Sequence, residues 1–81
     1  MTDAERRVRR IIAEVACIDK SEITAETTLS ESGIDSLDLH DIELHIEEEF
    51  GFTEDAFNVK LDDSVTEIAA KVERVLSTPR E

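Results

Sequence analysis

Apolar residues recur at helical spacing in three separate stretches of this chain, with no convincing two-residue strand alternation, and this pattern restricts the fold to a small bundle of helices. In the first stretch Val8, Ile11, Ile12 and Val15 follow Thr2 and Glu5, which have the spacing of a capping box. In the second, Leu39, Ile42, Ile46 and Phe50 fall on one narrow stripe of a helix expected over about 36–50 and ended by Gly51. In the last, Val65, Ile68, Ala69, Val72, Val75 and Leu76 follow a second capping box, Ser64 and Glu67, and Pro79 then leaves a frayed tail. Phe52, Phe57, Val59 and Leu61 lie in a segment too short for another long helix, so one or two helical turns are expected over 54–59. The expected fold is an all-α, small four-helix bundle of three longer helices and one short one.

Between the first and second helices, from Asp19 to Ser32, the periodicity fails and Ser, Thr, Asp and Glu dominate. So long a loop needs pins, and Ile18, Ile23, Leu29 and Ile34 are spaced to supply them. The 81 residues are expected to form a single domain, 1–81, with its core over about 3–77.

With 21 Asp plus Glu against nine Lys plus Arg, the net charge is −12, which argues against nucleic acid or an anionic membrane as partner and for basic protein surfaces. Self-repulsion at that charge strains the compact state. Four of the nine cations, Arg6, Arg7, Arg9 and Arg10, cluster on the first helix, most simply as a solvated face pairing with nearby carboxylates. The single cysteine, Cys17, excludes an intramolecular disulfide framework and reads as a small, partly buried apolar residue. No run is long enough to span a bilayer, so a soluble, cytoplasmic monomer without membrane insertion is expected.

The stretch Gly33-Ile34-Asp35-Ser36-Leu37-Asp38 sets a serine at the mouth of the acidic second helix. Asp35 is placed to cap that helix, Asp38 to add negative charge to its first turn, and Ser36 to occupy its first position. A phosphodiester on the Ser36 hydroxyl would lie beside unpaired backbone N–H groups, which favour anions. Catalysis by Ser36 is a poor alternative: His40 and Asp35 are near in sequence, but Gly-x-Ser-x-Gly is absent and no oxyanion donors are apparent. No metal site is expected. His40 and His45 are five apart, about 140° around the helix, and the chain has no calcium-loop pattern.

Gly33, Asp35, Ser36, Leu37 and Asp38, together with the run Ile46-Glu47-Glu48-Glu49-Phe50, resemble the acyl carrier proteins, and the likeness extends from about Glu5 to Leu76. The resemblance implies a carrier with no catalysis of its own, in which Ser36 bears covalent 4′-phosphopantetheine delivered from coenzyme A by a phosphopantetheinyl transferase. It implies acyl groups carried as thioesters on the arm to acyl-transferring, condensing or acyl-activating enzymes of lipid (including fatty acid) or polyketide biosynthesis. It further implies that basic surfaces of those enzymes read the second helix.

On that helix Leu37 and Leu44 project opposite the core stripe alongside Asp41 and Glu48, with Asp38, His45 and Glu47 towards the flanks. Asp35, Leu37, Asp38, Asp41, Leu44, Glu47 and Glu48 are therefore the expected docking residues. The chain departs from the family at Ser32, where Leu is usual, and in a loop one residue shorter after Leu29, so this loop is expected to pack differently. It departs again at Glu43, near the apolar stripe, whose carboxylate must snorkel, pair or gate the acyl cavity. Two rivals remain open: an aminoacyl or peptidyl carrier, against which Asp35 and the dense acidic helix lean, and an unmodified acidic adaptor for basic partners.

Overall fold

The computed structural model describes residues 1–53 and 57–77. Helix α1 spans Asp3–Ala16 and begins at the expected capping box: the Thr2 hydroxyl accepts the Glu5 N–H at 3.1 Å, and the Glu5 carboxylate accepts the Thr2 N–H at 2.7 Å. Helix α3, Val65–Ser77, starts the same way, with Ser64 and Glu67 exchanging bonds of 2.9 and 3.2 Å. Helix α2 runs from Leu39 to Phe50, and a single 3-10 turn, Lys20–Glu22, sits between α1 and α2. The fold is all-α as expected; among the described residues the only extended pairing is an isolated bridge between Thr28 and Ser64. Of the short helix expected over 54–59, residues 57–59 are not helical and 54–56 lie outside the described residues, as does the tail at Pro79.

The core follows the three apolar stripes. Val8 and Ile12 of α1, Ile42 and Ile46 of α2, and Val65, Ile68 and Val72 of α3 are completely buried. Leu39 and Phe50, at the ends of the α2 stripe, are only half-buried, and Leu76 is 54% exposed rather than part of the core face. Three of the four loop pins, Ile23, Leu29 and Ile34, are buried and Ile18 is half-buried. Phe50, Phe52 and Phe57 continue the core as a stack with ring centroids 5.9 and 6.0 Å apart.

The long loop is held by the start of α3. Val65 and Thr66 donate their backbone N–H groups to the carbonyls of Thr27 and Ala25 at 3.1 and 3.0 Å, while Leu29 and Ser30 donate to Asp63 and Leu61 at 3.1 and 2.9 Å. Donors that a helix N-terminus leaves unpaired thus meet loop acceptors, and loop donors are satisfied in return. Within the loop, Asp19 with Glu22 and Thr28 with Glu31 repeat the reciprocal side-chain exchange seen at the helix starts. Ser32 is buried, and its hydroxyl donates to the Thr28 carbonyl at 3.0 Å, so a polar residue is satisfied inside its own turn. Gly33 closes that turn at φ +88°, a left-handed conformation, and Ile34 N–H returns to the Leu29 carbonyl at 3.1 Å.

Cys17 is exposed, not partly buried. It occupies the left-handed position after α1 (φ 58°), with its N–H on Glu14 and that of Ile18 on the Ala13 carbonyl, so its side chain lies beyond the apolar stripe.

The two flanks of α2 are fixed by carboxylates. On the α1 side, Glu49 accepts from Arg7 Nε at 2.7 Å and from Arg10, while Arg7 lies 4.3 Å over the Phe50 ring. The basic cluster therefore pairs largely within the protein, Arg6 and Arg7 also with Asp3 and Arg10 with Glu14. Arg9 differs: it is half-buried, and its Nε finds no partner among the described residues. On the other flank Glu43, its side chain 20% exposed, accepts the Val59 N–H at 3.1 Å, and His40 Nδ1 lies 3.8 Å from its second oxygen. Of the outcomes expected for Glu43, pairing is the one observed.

The orientation of α2 gives a direct stability contrast. Ile46→Ala is expected to cost about 2–5 kcal/mol, as for large-to-small changes in a packed core, while Leu44→Ala costs under about 1 kcal/mol. Urea denaturation of both variants checks this. Glu43→Ala should leave the buried Val59 N–H without its acceptor at a cost of about 1–3 kcal/mol. Hydrogen exchange at Val59 should accelerate in that variant; unchanged protection would refute Glu43 as the acceptor that protects this N–H.

The hydrogen bond from Arg7 holds the Glu49 carboxyl below its ordinary value of 4.5; partial burial opposes this and the charges of Arg10 and Arg7 support it. The folded state then binds fewer protons than the unfolded one between the two values, so the stabilisation is present above pH 4.5 and is lost as pH falls through the lower, folded value. Glu49→Gln should melt below wild type at pH 7, and the gap should close in melts taken progressively further below pH 4.5. A gap of undiminished size there would assign the loss to packing.

Candidate functional site

Ser36 lies one turn earlier in the architecture than its sequence suggests. Residues 36–38 form a turn ahead of α2, which begins at Leu39, so Ser36 is not the first helical residue. The expected cap is also relocated. Asp35 Oδ1 accepts the N–H groups of Leu37 at 2.9 Å and Asp38 at 3.2 Å, and Asp38 Oδ2 accepts the Asp35 N–H at 3.4 Å. Asp35 thus closes the approach turn, while Asp38, at the N-cap position, makes no side-chain cap to the helix. These short carboxylates satisfy nearby backbone donors more readily than a helix one turn further on.

Ile34, only 4% exposed, anchors the turn from below, whereas Ser36 is exposed and makes no side-chain hydrogen bond among the described residues. The hydroxyl can therefore take a substituent without breaking a contact. The first backbone bond of α2 runs from Ile42 N–H to the Asp38 carbonyl at 3.1 Å, so the N–H groups of Leu39, His40 and Asp41 precede the helical ladder and point back towards the turn. A phosphodiester on Ser36 suits that end of the helix. Hydrolytic chemistry does not follow from this arrangement, because the serine, Asp35 and His40 all stand on open surface.

The structure divides the expected docking residues. Leu37 is 85% and Leu44 37% exposed, and Asp41 and Glu48 are exposed beside them. Asp35 is exposed but engaged in the turn, and Asp38 is half-buried. Glu47 does not belong to this face: it is buried, at 7% exposure. After Gly51, at φ +74°, the chain turns back, with both Gly51 and Phe52 donating N–H bonds to the Glu47 carbonyl. Wheel angles alone could not show that return. The Thr28/Glu31 and Asp19/Glu22 exchanges were findable, since both have capping-box spacing.

Among the described residues no cluster of three or more His, Cys, Asp or Glu is arranged to hold a metal ion, and no helix is long and apolar enough to cross a membrane.

Residues 6–70 match the phosphopantetheine attachment site family. The chain is 35% identical over 71 residues to the acyl carrier protein of Thermotoga maritima, covering 86% of this chain and 88% of that protein. It is 36% identical over 61 residues to acyl carrier protein 2, chloroplastic, of Spinacia oleracea, covering 75% of this chain but only 47% of that longer protein. With its helical bundle, its exposed serine ahead of an acidic helix and these matches along most of its length, the chain belongs to the acyl carrier proteins, which are carriers and not enzymes and whose cofactor is covalent 4′-phosphopantetheine.

Proposed function

We propose that this chain carries acyl groups as thioesters on a 4′-phosphopantetheine arm esterified to Ser36, and presents them to enzymes of lipid or polyketide biosynthesis. The observation that carries the reading is the Ser36 hydroxyl: exposed, unused by its own turn, and fixed between buried Ile34 and the start of α2. A phosphopantetheinyl transferase loads the arm from coenzyme A. The protein's own contribution is presentation, because a tethered cargo reaches its enzyme at high effective concentration.

Acyl-transferring, condensing or acyl-activating enzymes with basic surfaces are the partners that fit. Asp41 and Glu48, exposed on α2 in a chain of net charge −12, steer the encounter, and exposed Leu37 and Leu44 lengthen it through apolar contact. Glu47 is left out of this face by its burial. Such a carrier works as a cytoplasmic monomer.

Intact-mass measurement after incubation with coenzyme A and a broad-specificity transferase tests the reading. Wild type should gain one phosphopantetheine group and Ser36→Ala none, while the alanine variant loses no more than about 1 kcal/mol of stability, the scale of a lost cap. An unmodified wild type would favour the acidic adaptor, and a modified Ser36→Ala would move the attachment site elsewhere.

A further inference from the structure

Helix α1 packs against both α2 and α3, but α2 and α3 are joined across their own gap by the segment that runs from Phe57 to Asp63. That segment turns Phe57 and Val59 into the core. The peptide unit between these two side chains is held from both helices: Glu43 of α2 accepts the Val59 N–H at 3.1 Å, and Lys71 of α3 donates from Nζ to the Asn58 carbonyl at 3.4 Å and to Asp63. Side chains of opposite charge thus grip the two ends of one peptide. One turn beyond Glu43, Glu47 is buried as well, so both carboxylates on that side of α2 are largely withdrawn from water.

We infer that Glu43 is a specificity-determining residue that closes the seam between α2 and segment 57–59 to aliphatic cargo, so that the acyl groups this carrier presents are short or polar and stay in water. The inference rests on Ser36 being the attachment point. A long aliphatic group tethered ahead of α2 gains by leaving water wherever it can reach apolar side chains. To enter beside Val59 it must part the Glu43 bond, which leaves a dry N–H and sets a carboxylate against hydrocarbon. A short acyl group has too few methylenes to offset those costs. Valine at position 43 removes them, because the Val59 N–H is then unpaired whether the seam is open or closed and no carboxylate lines the way in.

The test loads the full chain at Ser36 from acetyl-, butyryl-, octanoyl- and dodecanoyl-coenzyme A with a broad-specificity transferase, then records thermal melts, thioester cleavage by hydroxylamine and the Val59 amide resonance. In wild type none of these should change with chain length. In Glu43→Val the dodecanoyl form should melt about 5 °C or more above the acetyl form, and its thioester should be cleaved about threefold or more slowly. The Val59 amide resonance should move with chain length in that variant alone. The inference is overturned if wild type gains stability and thioester protection with chain length as Glu43→Val does, or if Glu43→Val gains neither. Should Glu43→Val fail to fold by circular dichroism, the wild-type series decides: a flat series supports the closure and a rising one removes it. A wild type that accepts no group from any of the four donors removes the attachment reading itself; a loaded wild type that shelters its longer cargo removes only the role given to Glu43.

Discussion

The reciprocal backbone pairing between the loop after α1 and the start of α3 governs everything upstream of the serine. Helix α3 begins with donors that its own ladder cannot satisfy, and Thr27 and Ala25 supply the carbonyls that do so. In exchange, Leu61 and Asp63 take the N–H groups of Ser30 and Leu29, which fixes the loop at the point where Leu29 enters the core. A polar loop of this length would otherwise carry a large ordering cost with little burial to offset it. Once Leu29 is placed, the short turn to Gly33, buried Ile34 and the Asp35 closure follow in a continuous run. The direction in which Ser36 faces is thus set from the far side of the bundle.

The excess of acid is organised by what each flank of α2 meets. Glu49 faces α1 and is claimed by Arg7 and Arg10; Glu43 faces the segment before α3 and accepts the Val59 N–H; Glu47 is buried. Asp41 and Glu48 remain on the outer face with Leu44. One helix therefore uses chemically similar side chains as an interhelix clamp, a backbone acceptor and free surface charge. Pairing Glu49 with two arginines also removes repulsion where it would act on the packing of α1 against α2.

Helical periodicity made the fold class, the α1 and α3 starts and the central core residues legible, because Ile42, Ile46 and their counterparts on α1 and α3 obey one local rule. The serine stood out through its setting, and the structure leaves it exposed in the turn ahead of α2. What escaped depends on contacts distant in sequence or on short turns. Ser36 was expected inside the helix because Asp35 has the form of an N-cap, and only the bonds from Leu37 and Asp38 show that it caps a separate turn. Glu47 was expected outside because a helical wheel places a residue only by its own helix, and the structure buries it. Cys17 was read as half-buried because residues in the left-handed position after a helix are usually glycine, and a cysteine there gives no local warning.

A carrier must reconcile a rigid display with a surface that several partners can use, and in this chain the two demands fall on different atoms. Backbone donors and short carboxylates at Asp35 and Asp38 hold the turn, while the exposed Leu37 side chain and the outer face of α2 take no part in that holding. Leu37 shows the separation most plainly: its N–H closes the turn on Asp35 while its side chain is 85% exposed. An apolar side chain fixed at its backbone and free at its tip loses little further entropy when a partner covers it, so most of its burial is available to binding. Substitution of such a side chain leaves the hydrogen bonds of the turn intact, whereas substitution of Asp35 removes the acceptor of the Leu37 and Asp38 N–H groups.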